Sequence, residues 1–193
     1  RFIADNPDVP VVQMDSVIGN KSGKVLLTMF SQNTNLLLAF LRDHNTARSV
    51  LDVFNDLYAM FGREIYCRLF PVILTDRGSE FSNPVPIEQD ENDELRSLVF
   101  YCNPSAPYQK GGIEVAHELV RRVLPKGKSF DDLQQEDIDL MLSHINSYKR
   151  GKLNSRSAYQ LFNFIYGDDI LPKLNIREIE ANDIVLSPKL LKK

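Results

Sequence analysis

The chain has 193 residues, and at roughly 150 residues per domain that is one domain with an appendage rather than two domains. Hydrophobic residues at 43% and charged residues at 25%, with 9 Gly and 10 Pro, exclude collagenous, low-complexity and wholly disordered classes. The net charge of −3 gives no overall attraction to nucleic acid, so a DNA partner would require unevenly spread charge.

Residues 1–10 read as a lead-in. They lack the basic start and apolar stretch of a secretory signal, and a chain opening on Arg1 instead of Met reads as an excised fragment. Val11 to Val17 is predicted as a strand, Gly19 to Gly23 as a turn, and Lys24 to Phe30 and Asn35 to Leu41 as two further strands of an antiparallel meander. The apolar run Leu36 to Leu41 covers six residues, far short of the roughly 20 needed to cross a bilayer, so no membrane span is expected. Val50, Val53, Phe54, Leu57 and Phe61 then recur at helical spacing, with Asn45 or Thr46 as N-cap and Gly62 as the stop. Tyr58, Phe61, Tyr66 and Phe70 are expected in the core.

Phe70 to Thr75 is a short buried strand that delivers Asp76 at its C-terminal end, and Ser97 to Cys102 is a fifth strand. An irregular loop over residues 103–107 precedes a helix that Gly111-Gly112 opens and Leu124-Pro125-Lys126-Gly127 stops. Helices over Gln135 to Tyr148 and Ala158 to Tyr166 follow, and Ile176 to Lys193 reads as a loose strand and tail. This order suits an α/β fold, a five-stranded mixed sheet flanked by helices, with extra helices at the C-terminal end.

Charge is unevenly spread. Lys110, Arg121, Arg122, Lys126 and Lys128 outnumber Glu114 and Glu118, and Lys149, Arg150, Lys152 and Arg156 follow without an intervening acid. Acids dominate Glu88 to Glu94. Each cluster taken singly reads as a solvated surface. Cys67 and Cys102 have no metal-ligand spacing and read as reduced, buried thiols of a cytosolic protein.

Three acids stand out by location. Asp15 lies inside the first apolar strand, Asp76 at the end of the fourth, and Glu114 in the first turns of the helix after the Pro-rich loop. Carboxylates on buried strands are costly without a partner and repel one another, so convergent ones imply cations, and carboxylate oxygens suit Mg²⁺ or Mn²⁺. Singly, each has an ordinary alternative: a paired strand acid for Asp15, a turn for Asp76-Arg77-Gly78, and a helix N-terminal acid for Glu114. Glu118, one helical turn on, is a rival to Glu114.

The string Leu74-Thr75-Asp76-Arg77-Gly78-Ser79-Glu80-Phe81 resembles the segment carrying the second catalytic aspartate in retroviral integrases and insertion-sequence transposases. Cys102-Asn103-Pro104-Ser105-Ala106-Pro107-Tyr108-Gln109-Lys110-Gly111-Gly112-Ile113-Glu114 is similar to their glutamate-bearing loop and helix, and the interval of 38 residues between Asp76 and Glu114 is close to theirs. Leu119 to Gly127, followed by His144-Ile145-Asn146-Ser147-Tyr148, looks specifically like the IS-thirty type of bacterial transposase.

That resemblance covers Val11 to Gly167 and implies a ribonuclease H-like catalytic core over 11–167, with 168–193 as an extension. It implies that Asp15, Asp76 and Glu114 hold two Mg²⁺ or Mn²⁺ ions, and that the enzyme cuts transposon ends and joins the freed 3′-hydroxyl to target DNA. Gln109, Lys110, Arg121, Arg122 and Lys126 would contact DNA. The partners implied are transposon-end and target DNA and further copies of the chain in a homodimer or larger synaptic complex, in the bacterial cytoplasm at the nucleoid. Arg77 departs from the usual Asn there, and Val115-Ala116-His117-Glu118 replaces an Asn-rich stretch. A hydrolysis-only nuclease and a non-catalytic DNA-binding or assembly module with the same fold are the rival readings.

Overall fold

The computed structural model describes residues 2–20, 22–103 and 107–191. A short helix α1 (Phe2–Asp5) leads into three strands, β1 (Val11–Ile18), β2 (Val25–Ser31) and β3 (Leu37–Arg42), each antiparallel to the one before. Helix α2 (Ala47–Leu69) carries the chain back to β4 (Val72–Thr75), which lies parallel to β1. After a short helix α3 (Val85–Glu88), β5 (Leu98–Tyr101) pairs parallel with β4. The resulting sheet has the order β3-β2-β1-β4-β5 and is flanked by α4 (Gly111–Val123), α5 (Gln135–Ser147) and α6 (Ala158–Tyr166). This is the mixed five-stranded ribonuclease H-like arrangement that the sequence implied.

Helix α2 begins where a cap is available. Thr46 accepts from the Ser49 amide and Ser49 answers with its own side chain, a reciprocal box that satisfies the first turn. Gly62 was expected to stop this helix. Instead the backbone there turns to φ 71°, a left-handed conformation that glycine adopts without steric cost, and the helix resumes as far as Leu69 beyond a kink. Resumption brings Tyr66, Leu69 and Phe70 into the core, where Tyr66 meets the Tyr58 ring edge-on at 5.1 Å. Tyr58 itself is only half-buried, donating its hydroxyl to Asp90.

Edge strand β3 would expose a row of unpaired backbone groups, a common route to aggregation. Helix α5 covers it with amide side chains. Asn146 accepts from the Leu37 amide at 2.9 Å and donates to the Leu37 carbonyl at 2.8 Å, and Gln135 does the same for the Leu41 amide and the Ala39 carbonyl. The two amides stand in for a sixth strand while α5 packs Ile138, Met141, Leu142 and Ile145 into the core.

Two other expectations are corrected. Residues 176–191 contain no strand; they form two short 3₁₀ turns, Ala181–Asp183 and Pro188–Leu191, that pack on the body. Ile179 donates its amide to Ser147 and Val185 donates its amide to His144 Nδ1, so α5 rather than the sheet supplies the tail's backbone partners. Cys67 and Cys102 are free thiols, as read, but half-buried. The loop expected over 103–107 falls on 104–106, outside the described residues, for most of its length.

Replacing Asn146 by Ala leaves the Leu37 N–H and C=O buried without partners, each worth about 1–3 kcal/mol. Urea denaturation is expected to show a loss of about 2–4 kcal/mol; a loss under about 1 kcal/mol would mean that α5 does not hold the sheet edge.

Candidate active site

Parallel pairing of β1 with β4 builds the site. Gln13 is opposite Leu74 in the register, and side chains two residues apart on a strand share a face. The next residues outward are Asp15, in β1, and Asp76, the first residue past the end of β4, whose strands lie about 4.8 Å apart. Nearer the strand starts the same face is apolar, with Val11, Val72 and Leu74 forming a small cluster of their own. The face thus changes from apolar to acidic along β1 and β4.

Between the two carboxylates lies the ammonium of Lys110. Its Nζ is 3.1 Å from Asp15 Oδ2, 2.9 Å from Asp76 Oδ2 and 3.3 Å from the Met14 carbonyl, so all three of its protons have acceptors. Lys110 is 7% exposed. Burial alone would lower its pKa, but the charges of Asp15 and Asp76 and their hydrogen bonds outweigh that effect and hold it above the usual lysine value. The carboxylates therefore do not face each other across bare solvent.

Gly78 donates its amide to Asp76 Oδ1 at 2.9 Å, fixing the carboxylate in a tight turn. A Cβ at Gly78 would lie 2.7 Å from Glu80 Oε2, the far end of a flexible side chain that can move aside. Arg77, in the departing position, lies over the Tyr101 ring at 5.7 Å and leaves Asp76 untouched.

Helix α4 is tied to β1 by a residue the sequence reading passed over. The Gln13 side chain accepts from the Ile113 amide at 2.7 Å and donates to the Gln109 carbonyl at 3.0 Å, satisfying one of the first-turn amides that a helix leaves unpaired. Gly112 permits the contact, since a Cβ there would come 2.5 Å from Phe30 Cε1. A lone amide in the run Val11-Val12-Gln13-Met14 was the available signal, because a 2%-exposed polar strand residue must have a partner.

One turn along α4, His117 Nε2 is 2.8 Å from Thr28 Oγ1, and the Thr28 hydroxyl donates to the Asp15 carbonyl at 3.0 Å. The Thr28 proton being committed, the proton in the other contact belongs to His117 Nε2. Burial lowers the His117 pKa, with Lys110 and Arg121 acting in the same direction and Asp15 opposing them. His117 is thus a brace between α4 and β2.

On the far side of Asp15 a second polar group was also missed. Arg42, 4% exposed, donates to Ser16, Asn45 and Ser49, and Asn45 donates to Glu80. Burial lowers the Arg42 pKa to about 10, with Glu80 opposing.

The remaining expected site residues divide. Glu114 stands in the first turn of α4, exposed, as does its rival Glu118 a turn later. Among the described residues no three His, Cys, Asp or Glu side chains are grouped closely enough to hold a metal ion, so Glu114 is not drawn in with Asp15 and Asp76. Gln109 accepts from the Asn103 amide, and Arg121 donates to the Ile18 carbonyl at 2.9 Å. With Lys110 these side chains are engaged within the protein, whereas Arg122 and Lys126 are exposed.

The sheet order and flanking helices are those of the integrase catalytic-core fold. The bovine immunodeficiency virus (BIV) integrase catalytic core superposes with a TM-score of 0.53 at 21% identity, over 81% of this chain and 92% of that one. In sequence the chain is 29% identical over 154 residues to a protein named integrase ORF3 from Spiroplasma virus SpV1-R8A2 B, and 22% identical over 147 residues to transposase InsI of insertion sequence IS30A from Escherichia coli K12. Those matches cover 78% and 76% of this chain but 45% and 36% of the relatives, so the chain spans less than half of their length. No family model matches. The chain is a relative of the IS30 transposases and viral integrases, with the fold of an integrase catalytic core.

Replacing Gln13 by Leu removes both ties to α4. A loss of about 2–4 kcal/mol by denaturation is expected, together with faster hydrogen exchange at the Ile113 amide. Unchanged exchange there would show that the first turn of α4 is held by something else.

Proposed function

We propose that the chain is the catalytic core of a DNA transposase, cutting transposon ends and joining the freed 3′-hydroxyl to target DNA, with Asp15, Asp76 and Glu114 holding two Mg²⁺ or Mn²⁺ ions. One observation supports this above the others: the Asp15 and Asp76 carboxylates converge on a single position already filled by a cation, the Lys110 ammonium. The donor set fits, because it consists of carboxylate oxygens with a backbone carbonyl beside them, the ligands that hard divalent ions prefer. When bound, such ions activate an attacking oxygen and neutralise charge on the scissile phosphate.

The chain's own residues supply the rest. Gln13 and Gly112 seat the start of α4 on β1, so Glu114 is carried on the element next to Asp15. Thr28 and His117 hold the Asp15 backbone from the other side, which keeps its carboxylate directed along the sheet face. Arg122 and Lys126, exposed on and after α4, meet DNA phosphates without reading sequence. On this reading residues 11–167 are the core and 168–193 an extension. The assembly that acts on paired DNA ends is a homodimer or larger complex in the bacterial cytoplasm at the nucleoid.

A second reading is favoured by one feature, Glu114 lying outside the carboxylate pair while Lys110 fills it: a non-catalytic module in which the lysine has replaced the metal. Calorimetric titration with Mn²⁺, alone and with duplex DNA, separates the two. Saturable binding to the chain and its loss in Asp76→Asn support the transposase; no binding under either condition supports the module.

Two outcomes are expected with DNA. In Mn²⁺, nicking and joining of plasmid DNA falls on the order of a hundred-fold or more in each of Asp15→Asn, Asp76→Asn and Glu114→Gln, and cleavage retained by any one removes that residue from the triad. Duplex binding weakens steeply with salt, and Arg122→Ala with Lys126→Ala lowers the slope of log K against log salt by about 2; an unchanged slope would place the DNA elsewhere.

A further inference from the structure

We propose that Lys110 is a resident competitor for the metal position: its ammonium occupies the point on which the two carboxylates converge, and a divalent cation binds only by displacing it. The inference rests on the two-metal reading above and adds to it how the site is kept in the absence of metal. Its geometric basis is the completeness of the Lys110 contacts, three acceptors at 2.9 to 3.3 Å for three protons, on a side chain almost wholly buried. A divalent ion drawn to the same two Oδ2 atoms would lie against that ammonium, and two cations in one small cage repel.

Displacement has a structural consequence, because Lys110 is the residue immediately before α4 and Glu114 is in that helix's first turn. The lysine faces the carboxylates while the glutamate is exposed. Withdrawing Lys110 loosens the end of the helix that carries Glu114 from its ionic tether to β1 and β4, leaving Gln13 as its remaining link to β1. Metal entry and repositioning of Glu114 are then one event, and the protein without metal keeps a paired site instead of two repelling carboxylates.

The effect has a size. If Lys110 leaves the carboxylate pair vacant in about a tenth of the molecules, the apparent metal affinity is about ten-fold weaker than that of the vacant site. The test uses the chain and Lys110→Met, which keeps the length and removes the charge. Calorimetry with Mn²⁺ is expected to show about ten-fold tighter binding to Lys110→Met. On the unaltered chain, acetylation of Lys110 by an amine-reactive ester, read by peptide mass spectrometry, is expected to be slow in EDTA and several-fold faster with saturating Mn²⁺. This second readout holds even if the variant folds poorly.

Equal or weaker Mn²⁺ binding by a folded Lys110→Met, or Lys110 labelling that Mn²⁺ does not change although it binds, overturns the competition and leaves the metal site standing. Mn²⁺ binding to neither chain overturns the competition and the two-metal reading together.

Discussion

The constraint on which this molecule is built is the parallel register of β1 and β4. Once Gln13 is set opposite Leu74, Asp15 in β1 and Asp76, the first residue past the end of β4, are brought side by side, and no side-chain rearrangement can separate them far. Two carboxylates at that spacing repel unless a cation lies between them. The protein meets it with Lys110, drawn in from the turn before α4. The fold therefore creates an electrostatic demand before any ligand arrives, and the residues around it are arranged to answer that demand.

Helix α4 is the element through which the answer is delivered. Its first turn hangs on Gln13 and its middle on Thr28 through His117, while Arg121 reaches the Ile18 carbonyl at the end of β1. These three ties run to β1 or its partner β2, so α4 is referenced to the strand that bears Asp15. Its buried face, Ile113, Ala116, Leu119, Val120 and Val123, packs into the main core and leaves Glu114, Glu118 and Arg122 outward.

Much of this was legible in the sequence, and the part that was not has a physical reason. Apolar periodicity located the five strands and the longer helices to within a residue or two at most ends, since burial dictates those patterns. Gly62 misled because a glycine can end a helix or bend it, and the choice depends on whether the residues beyond it, here Tyr66 and Leu69, have a core to join. The tail misled because apolar residues at strand-like spacing pack equally well as 3₁₀ turns when a helix, α5, offers the hydrogen bonds. At the site, the acids announced themselves by position, but the inward turn of Lys110 did not. A lysine beside an acidic motif reads as a surface cation, and only the strand register reveals that two carboxylates are waiting for it.

That last point bears on the charge distribution as a whole. Within the acidic run Glu88 to Glu94, Glu91, Asp93 and Glu94 are exposed, while Asp90 accepts from Tyr58, Arg63 and the Asn92 and Glu94 amides, which hold its carboxyl below the usual range. The basic residues divide in the same way. Lys110, Arg121 and Arg42 are committed to carbonyls, hydroxyls and carboxylates within the protein, and Arg156 lies 6.0 Å from the Phe164 ring. Counting charges along the sequence therefore overstates what is available to a polyanion. Arg122, Lys126, Lys128 and Lys149 remain exposed. On the transposase reading proposed above, a chain with a net charge of −3 would couple binding of DNA to filling of the carboxylate pair, because a cation held at Asp15 and Asp76 would also remove repulsion from an approaching phosphate.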